Sequence, residues 1–184
     1  MVKEVEHLTR GQRSNPLWST FRTGRLTASK FGDVLRACRR KTIPPSLVSS
    51  LLGEYNLEGV KAVQWGVEHE KDAIEKYRTT FGKTVSPTGL LLHESGVLAA
   101  SPDGFIHPDG LLEVKCPFSF SRQTIPEVLE NKNFYIILDD TDTYILNPKH
   151  TYYDQCQGQL HISGRDKLDF FVWLSPNSTG TSSS

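Results

Sequence analysis

Residues 101–116 constrain the fold of this chain more than any other stretch. The apolar run Leu111-Leu112-Glu113-Val114-Lys115-Cys116 carries two opposite charges two positions apart, and Pro108-Asp109-Gly110 precedes it. Turn residues between short apolar runs predict a hairpin with strands over 105–107 and 111–116. Side chains alternate across a strand, so Glu113 and Lys115 share one face while Leu112, Val114 and Cys116 point into the core. A turn centred near Pro108-Asp109 brings Asp103 beside Glu113, on strands ~4.8 Å apart. Two carboxylates that close repel unless a cation sits between them or one is protonated. A hard dication resolves the conflict. Magnesium takes one or two carboxylates and completes its shell with water and phosphate oxygens. Lys115 adds a compact cation that can hold a water or a phosphate oxygen. Asp103, Glu113 and Lys115 are therefore candidate catalytic residues for phosphodiester hydrolysis by metal-activated water, with manganese as a substitute ion. The plainer alternative is a surface hairpin with an ordinary Glu–Lys pair on its wet face.

Around this hairpin the pattern predicts helices and short strands. A helix capped by Thr27 carries Phe31, Val34, Leu35 and Cys38 on one stripe. Pro44-Pro45 breaks the chain before a short helix from Ser46. A longer helix spans 57–81, with the stripe Val60, Val63, Val67, Ile74, Tyr77, and Gly82 ends it. Strands follow over 84–92 and 97–101. Residues 121–150 read as polar and irregular, 152–162 as a helix and 167–174 as a final strand. This order predicts an α/β (α+β) fold, a central mixed β-sheet flanked by helices. Residues 1–175 form one domain on this reading, and 176–184 a disordered tail.

The 184 residues are 37% apolar and 23% charged, enough for a core without disulfides or structural metal. Cys38, Cys116 and Cys156 are far apart and odd in number, which excludes a disulfide framework or zinc ribbon. No apolar run is long enough for a membrane span, and residues 1–10 are too polar for a secretory signal. The expected location is therefore intracellular and soluble, in the cytoplasm or nucleus of a host cell. Net charge is zero, but its distribution is uneven. Arg22, Arg25, Lys30, Arg36, Arg39, Arg40 and Lys41 face only Asp33 as a counterweight between 22 and 41. Such a segment can hold a polyanion, or simply form a solvated helix face.

Two helices add polar residues at inward positions. Glu70 falls on the stripe Val63, Val67, Glu70, Ile74, Tyr77, where a carboxylate needs a partner: a metal, or an internal salt bridge. Gln157 shares a stripe with Tyr153, Cys156 and Leu160, and Gln155 and Gln159 form an adjacent i, i+4 pair. Amides can position a phosphate or a lytic water, or belong to a solvated cluster.

Five segments in order are Phe21-Arg22-Thr23-Gly24-Arg25-Leu26-Thr27-Ala28-Ser29, Trp65-Gly66-Val67-Glu68-His69-Glu70, Ala100-Ser101-Pro102-Asp103-Gly104, Leu112-Glu113-Val114-Lys115-Cys116-Pro117-Phe118 and Gln155-Cys156-Gln157. With them the chain resembles the lambda-exonuclease type of phage recombination nuclease, the YqaJ-like family of the PD-(D/E)XK superfamily. The resemblance covers roughly residues 15–174. It implies a restriction-endonuclease-like core and a magnesium-dependent DNA exonuclease, acting 5′ to 3′ on duplex ends in recombination or end processing. It implies metal ligation by Asp103, Glu113, Glu70 and the Val114 carbonyl, with Lys115 as the catalytic lysine. Arg22, Arg25, Ser29, Ser101 and Gln155 match positions for the DNA and its terminal 5′ phosphate, and Gln157 the inner edge of the site. Implied partners are duplex DNA and a single-strand annealing protein. Similar proteins form trimers through helices beyond the last strand, and the short stretch after Trp173-Leu174 weighs against a trimer here. Alternatives on the same core are a structure-specific or flap endonuclease and a catalytically silent DNA-binding module. An intact Asp103, Glu113, Lys115 set argues against the silent module.

Overall fold

The structure, a computed structural model, describes residues 2–52 and 59–175. In chain order its helices and strands are α1 (Val2–Leu8), α2 (Pro16–Arg22), β1 (Leu26–Thr27), α3 (Phe31–Arg40), α4 (Pro45–Leu51), α5 (Lys61–Phe81), β2 (Val85–Ser86), β3 (Leu91–Leu92), β4 (Leu98–Ala100), β5 (Gly104–Ile106), β6 (Gly110–Lys115), α6 (Ile125–Glu130), β7 (Ile136–Leu138), β8 (Tyr144–Leu146), α7 (Thr151–Ser163) and β9 (Lys167–Val172). The expected mixed α/β architecture is present. The anticipated start of the long helix at 57 and the tail 176–184 lie outside the described residues. No described helix is long and apolar enough to cross a membrane.

The chain divides into two compact units. The first comprises Met1–Asn56, Thr84–Glu113 and Pro148–Asp169; the second comprises Leu57–Lys83, Val114–Asn147 and Phe170–Ser184. In the first, β1 pairs parallel with β4, and β3 pairs antiparallel with β4. The sheet order β2-β5-β6-β9 begins there, with β5 antiparallel to both β2 and β6. The anticipated strand over 84–92 is split into β2 and β3, which belong to different sheets. Pro87 supplies no ladder N–H, and Gly89 lies so close to the Glu6 backbone carbonyl that a Cβ could not fit.

Polar side chains of α1 hold this break together. The Glu6 carboxylate accepts the Gly89 N–H at 3.0 Å and both Arg10 donors at 3.0 Å. Thr9 Oγ1 accepts the Leu90 N–H at 2.7 Å and donates to the Val5 carbonyl at 2.6 Å. Val5, Leu90, Leu92 and Ala99 make the apolar cluster beneath them, flanked by Trp18 and Phe21.

Helix α7 packs against α3 and the short turn before it. Small residues set that approach. A Cβ on Gly158 would stand 2.5 Å from the Phe31 ring, and one on Gly32 2.5 Å from Thr151. The buried face of α3 is consequently Gly32 and Ala37, whereas Leu35 and Cys38, expected inward, are exposed. Thr27 precedes a single 3₁₀ turn without a side-chain bond to its backbone N–H groups, and α3 begins four residues later.

The second unit is built on aromatic contacts. Tyr77 and Phe81 of α5 meet Phe171 of β9, with ring centroids 5.5 and 6.2 Å away. Phe134 and Tyr135 stack near Phe120 and Phe170. Ala73 and Tyr77 are the buried residues of α5, and Val67, expected on that stripe, is 44% exposed. Gly82, at φ 60°, ends α5 as expected. The stretch expected to be irregular contains α6 and the β7–β8 hairpin. Its turn is closed by Asp139, which accepts from the N–H groups of Thr141 and Thr143. The Thr141 hydroxyl, which donates to the same carboxylate at 2.7 Å, together with those N–H groups holds the Asp139 carboxyl below its ordinary pKa, and the acidic loop is a self-satisfied turn.

Candidate active site

The β5–β6 register pairs Gly104 with Leu112, Phe105 with Leu111 and Ile106 with Gly110. The ladder stops there: Asp103 forms a bend just before β5, and its N–H donates to the Leu112 carbonyl, next to Glu113 in sequence, at 2.9 Å. Asp103 is half-buried and Glu113 only 2% exposed. The corner before Asp103 is fastened from outside the hairpin. The Pro102 carbonyl accepts the Gln12 amide at 2.8 Å and also the Thr88 hydroxyl. Sequence reasoning missed Gln12 and Thr88. Both are polar residues outside the longer helices and strands, and only their bonds across 90 and 14 positions reveal their role.

Helix α7 lays two amides on Glu113. Gln155 Nε2 donates to Glu113 Oε1 and Gln159 Nε2 to Glu113 Oε2, each at 2.6 Å. Residues four apart share a helix face, and the closely packed Gly158 turns that face inward. Gln157 is exposed. Its expected inward orientation is therefore corrected: the buried face of α7 is Gln155, Cys156, Gly158 and Gln159. The apolar stripe that pointed to Gln157 gave weight to Tyr153 and Leu160, whereas the glycine decides which face α7 buries.

A second polar group lies on α2. The Arg22 guanidinium stacks 4.0 Å over the Trp18 ring, and the Trp18 indole N–H donates to Ser101 Oγ at 2.9 Å. Arg22 is half-buried, and among the described residues no carboxylate or carbonyl pairs with it. Desolvation, reinforced by the positive charge of Arg13, lowers its pKa to about 10. Trp18 thus joins the expected residues Arg22 and Ser101 in one array. Ser29 is exposed and shares a hydrogen bond with Thr27 at 3.1 Å. Arg25 is tied to the chain itself, donating to the Gly96 carbonyl at 2.9 Å and the Phe21 carbonyl at 2.6 Å.

In the second unit, Glu70 is half-buried on α5, three and seven positions before the buried Ala73 and Tyr77. Val114 is buried, and Lys115 is half-buried where β6 ends. The Lys115 carbonyl accepts the Trp173 N–H at 2.9 Å. His69 lies between Trp65 and Trp173, with centroids 4.0 and 5.0 Å away, and serves this aromatic cluster.

Among the described residues no three His, Cys, Asp or Glu side chains converge as a metal cage. The Asp103–Glu113 pair nevertheless fits magnesium, which uses one or two carboxylates and leaves the rest of its octahedron to water and substrate. Each carboxylate oxygen has two lone-pair sites. One amide bond to a carboxylate oxygen does not by itself exhaust its acceptor capacity.

The family profile of the YqaJ-like viral recombinase domain matches residues 17–166. The alkaline nuclease of Autographa californica nuclear polyhedrosis virus is 27% identical over 193 residues, covering 93% of this chain and 43% of the viral protein. The chain therefore spans less than half of that relative. An alkaline exonuclease (LHK-Exo) from Laribacter hongkongensis superposes with a TM-score of 0.61 at 30% identity, covering 85% of this chain and 72% of that one. The Shutoff and Exonuclease Protein of Kaposi's sarcoma associated herpesvirus superposes with a TM-score of 0.59 over 94% of this chain and 60% of that one. At 13% identity it shows the fold alone. The fold of these exonucleases is restriction-endonuclease-like.

Proposed function

Because the chain belongs to the YqaJ-like viral recombinase domain family, we propose that it is a magnesium-dependent deoxyribonuclease that degrades duplex ends from 5′ to 3′. The observation that carries the reading is the hairpin itself. It ties the Asp103 backbone to Leu112, the neighbour of Glu113, with Lys115 two positions further along the same strand. The names of its relatives, an alkaline nuclease and an alkaline exonuclease, support the same reaction class.

Asp103 and Glu113 would hold the ion, with the Val114 carbonyl and Glu70 as further oxygen ligands. Bound magnesium supplies charge neutralisation at the phosphate and activation of water. Lys115 would donate to a non-bridging phosphate oxygen and stabilise the charge that develops there. Arg22, rigid on Trp18, would bind a terminal 5′ phosphate, and Ser101 would contribute a hydroxyl beside it. That pocket would seat the strand end, which is the basis for the polarity proposed here. End processing in DNA recombination, alongside a single-strand annealing protein, is the corresponding biological role.

The test is digestion of end-labelled duplex. Activity should require magnesium or manganese and stop in chelator. Lys115→Ala should lower kcat by about 10²–10³-fold, the range for a lost transition-state donor, with DNA affinity in calcium within a few-fold. Undiminished cleavage in excess chelator would overturn the metal reading. Equal rates on 5′-phosphorylated and 5′-hydroxyl ends would move the assignment to a flap or structure-specific endonuclease.

A further inference from the structure

The part of α7 beyond the Gln155-Cys156-Gln157 segment contains a polar residue with no explanation as a core side chain. Gln159 is 1% exposed. Its Nε2 donates to Glu113 Oε2 at 2.6 Å, and its Oε1 is buried without a hydrogen-bond partner. A buried acceptor left unsatisfied destabilises a fold. Leucine or methionine would serve a purely structural position better. Turning the amide over would relieve nothing, because it would press Oε1 against the Glu113 carboxylate. The orphaned oxygen is thus the consequence of aiming the N–H group at Glu113.

We propose that Gln159 is a positioning residue: it fixes the Glu113 carboxylate in the orientation that receives the divalent cation. The inference rests on the reading of Glu113 as a metal ligand. Its bond to Oε2, with the Gln155 bond to Oε1, holds both carboxylate oxygens from one side and defines the rotamer. Groups that hydrogen-bond a ligating carboxylate from behind raise metal affinity or activity, and their loss typically lowers it ~10–100-fold. Gln157, exposed on the opposite side of α7, has no such part.

The test is manganese binding in the absence of DNA, measured by the electron paramagnetic resonance signal of free Mn²⁺. The proteins compared are wild type, Glu113→Ala, Gln157→Ala, Gln159→Met and Gln159→Asn, each with its melting temperature taken in chelator. Methionine keeps the volume of Gln159 and removes the donor; asparagine keeps the amide and removes its reach. Both Gln159 variants should remain folded in chelator and bind Mn²⁺ ~10–100-fold more weakly, while Gln157→Ala binds as wild type does. A folded Gln159 variant with wild-type Mn²⁺ affinity, beside a weakened Glu113→Ala, would overturn the role of Gln159 alone. No Mn²⁺ binding by wild type, or wild-type binding by Glu113→Ala, would overturn the ligand reading beneath it. Failure of both Gln159 variants to fold would assign the residue to the core and overturn the proposal.

Discussion

Replacing Arg22 by methionine should make the protein more stable and blind to the 5′ end. Burial, with the positive charge of Arg13, brings Arg22 down from the ordinary arginine value to about 10. The unfolded state therefore binds more protons from about pH 10 up to the ordinary arginine pKa, and stability rises with pH across that window. Below about pH 10 the full penalty is present. At ~1.4 kcal/mol per pK unit it is roughly 3 kcal/mol. Methionine removes this penalty and also removes the stacking of the cation on Trp18, worth ~1–2 kcal/mol when partly desolvated. The net expectation is a gain of ~1–2 kcal/mol, or a melting temperature higher by ~2–8 °C at ~2–4 °C per kcal/mol for a chain of this size. The sign is the distinctive part, since most substitutions at half-buried positions destabilise.

The same guanidinium should be relieved by an anion. A 5′-phosphorylated dinucleotide at a hundred times its Kd would stabilise wild type by about 2.7 kcal/mol, and the 5′-hydroxyl form much less. Thermal melting of wild type and Arg22→Met, with each dinucleotide and without, measures both effects. A variant that melts below wild type without ligand would refute the energetic argument. Equal responses of the two proteins to the phosphorylated dinucleotide would refute the assignment of Arg22 to the phosphate.

Two further substitutions probe the scaffold and the glutamine helix. Gly89→Ala would drive a methyl group into the Glu6 carbonyl and to 2.5 Å from Thr9 Oγ1; overpacking of this kind removes ~1–3 kcal/mol, so urea unfolding should show an earlier midpoint, and an unchanged one would mean that α1 is not the latch described. Gln157→Ala, at an exposed position, should leave nuclease activity within ~3-fold, as surface changes usually do; a tenfold loss would return Gln157 to the reacting centre.

The β5–β6 hairpin was legible because every local signal agreed. Pro108-Asp109-Gly110 supplies the turn, the apolar run supplies the strand, and the register they set runs to Gly104 opposite Leu112. Full burial of Leu111 as well as Leu112 shows what alternation could not, that this strand is covered on both faces. The helix errors share one cause. Periodicity ranks large apolar residues, so it pointed Leu35, Cys38 and Gln157 inward. The actual α3–α7 contact runs through Gly32, Ala37 and Gly158, where the absence of a side chain lets the helices approach. Composition cannot distinguish a glycine that permits contact from one that merely ends a pattern. The α1 latch was illegible for another reason. Glu6, Thr9 and Gln12 look solvated in a polar N-terminal stretch until their partners at 88–90 and 102 are known.

Two departures from the rule that buried polar groups find partners lie in the first unit. Arg22 stacks on an indole without a counter-charge, and Gln159 leaves a buried oxygen unbonded in order to hold Glu113. Neither arrangement is favourable for the protein alone. A scaffold under selection only for stability would replace both with apolar residues, because an unpaired buried group loses its hydration and gains little in return. Each becomes reasonable once an ion of the opposite sign to its neighbour is supplied, a phosphate to Arg22 and a divalent cation to Glu113. On the proposed function the two ions would belong to one reaction, since a strand end held at Arg22 would present its next phosphodiester to the cation. The stability given up at Arg22 and Gln159 is therefore an argument about substrate, independent of the motif by which the hairpin was first noticed.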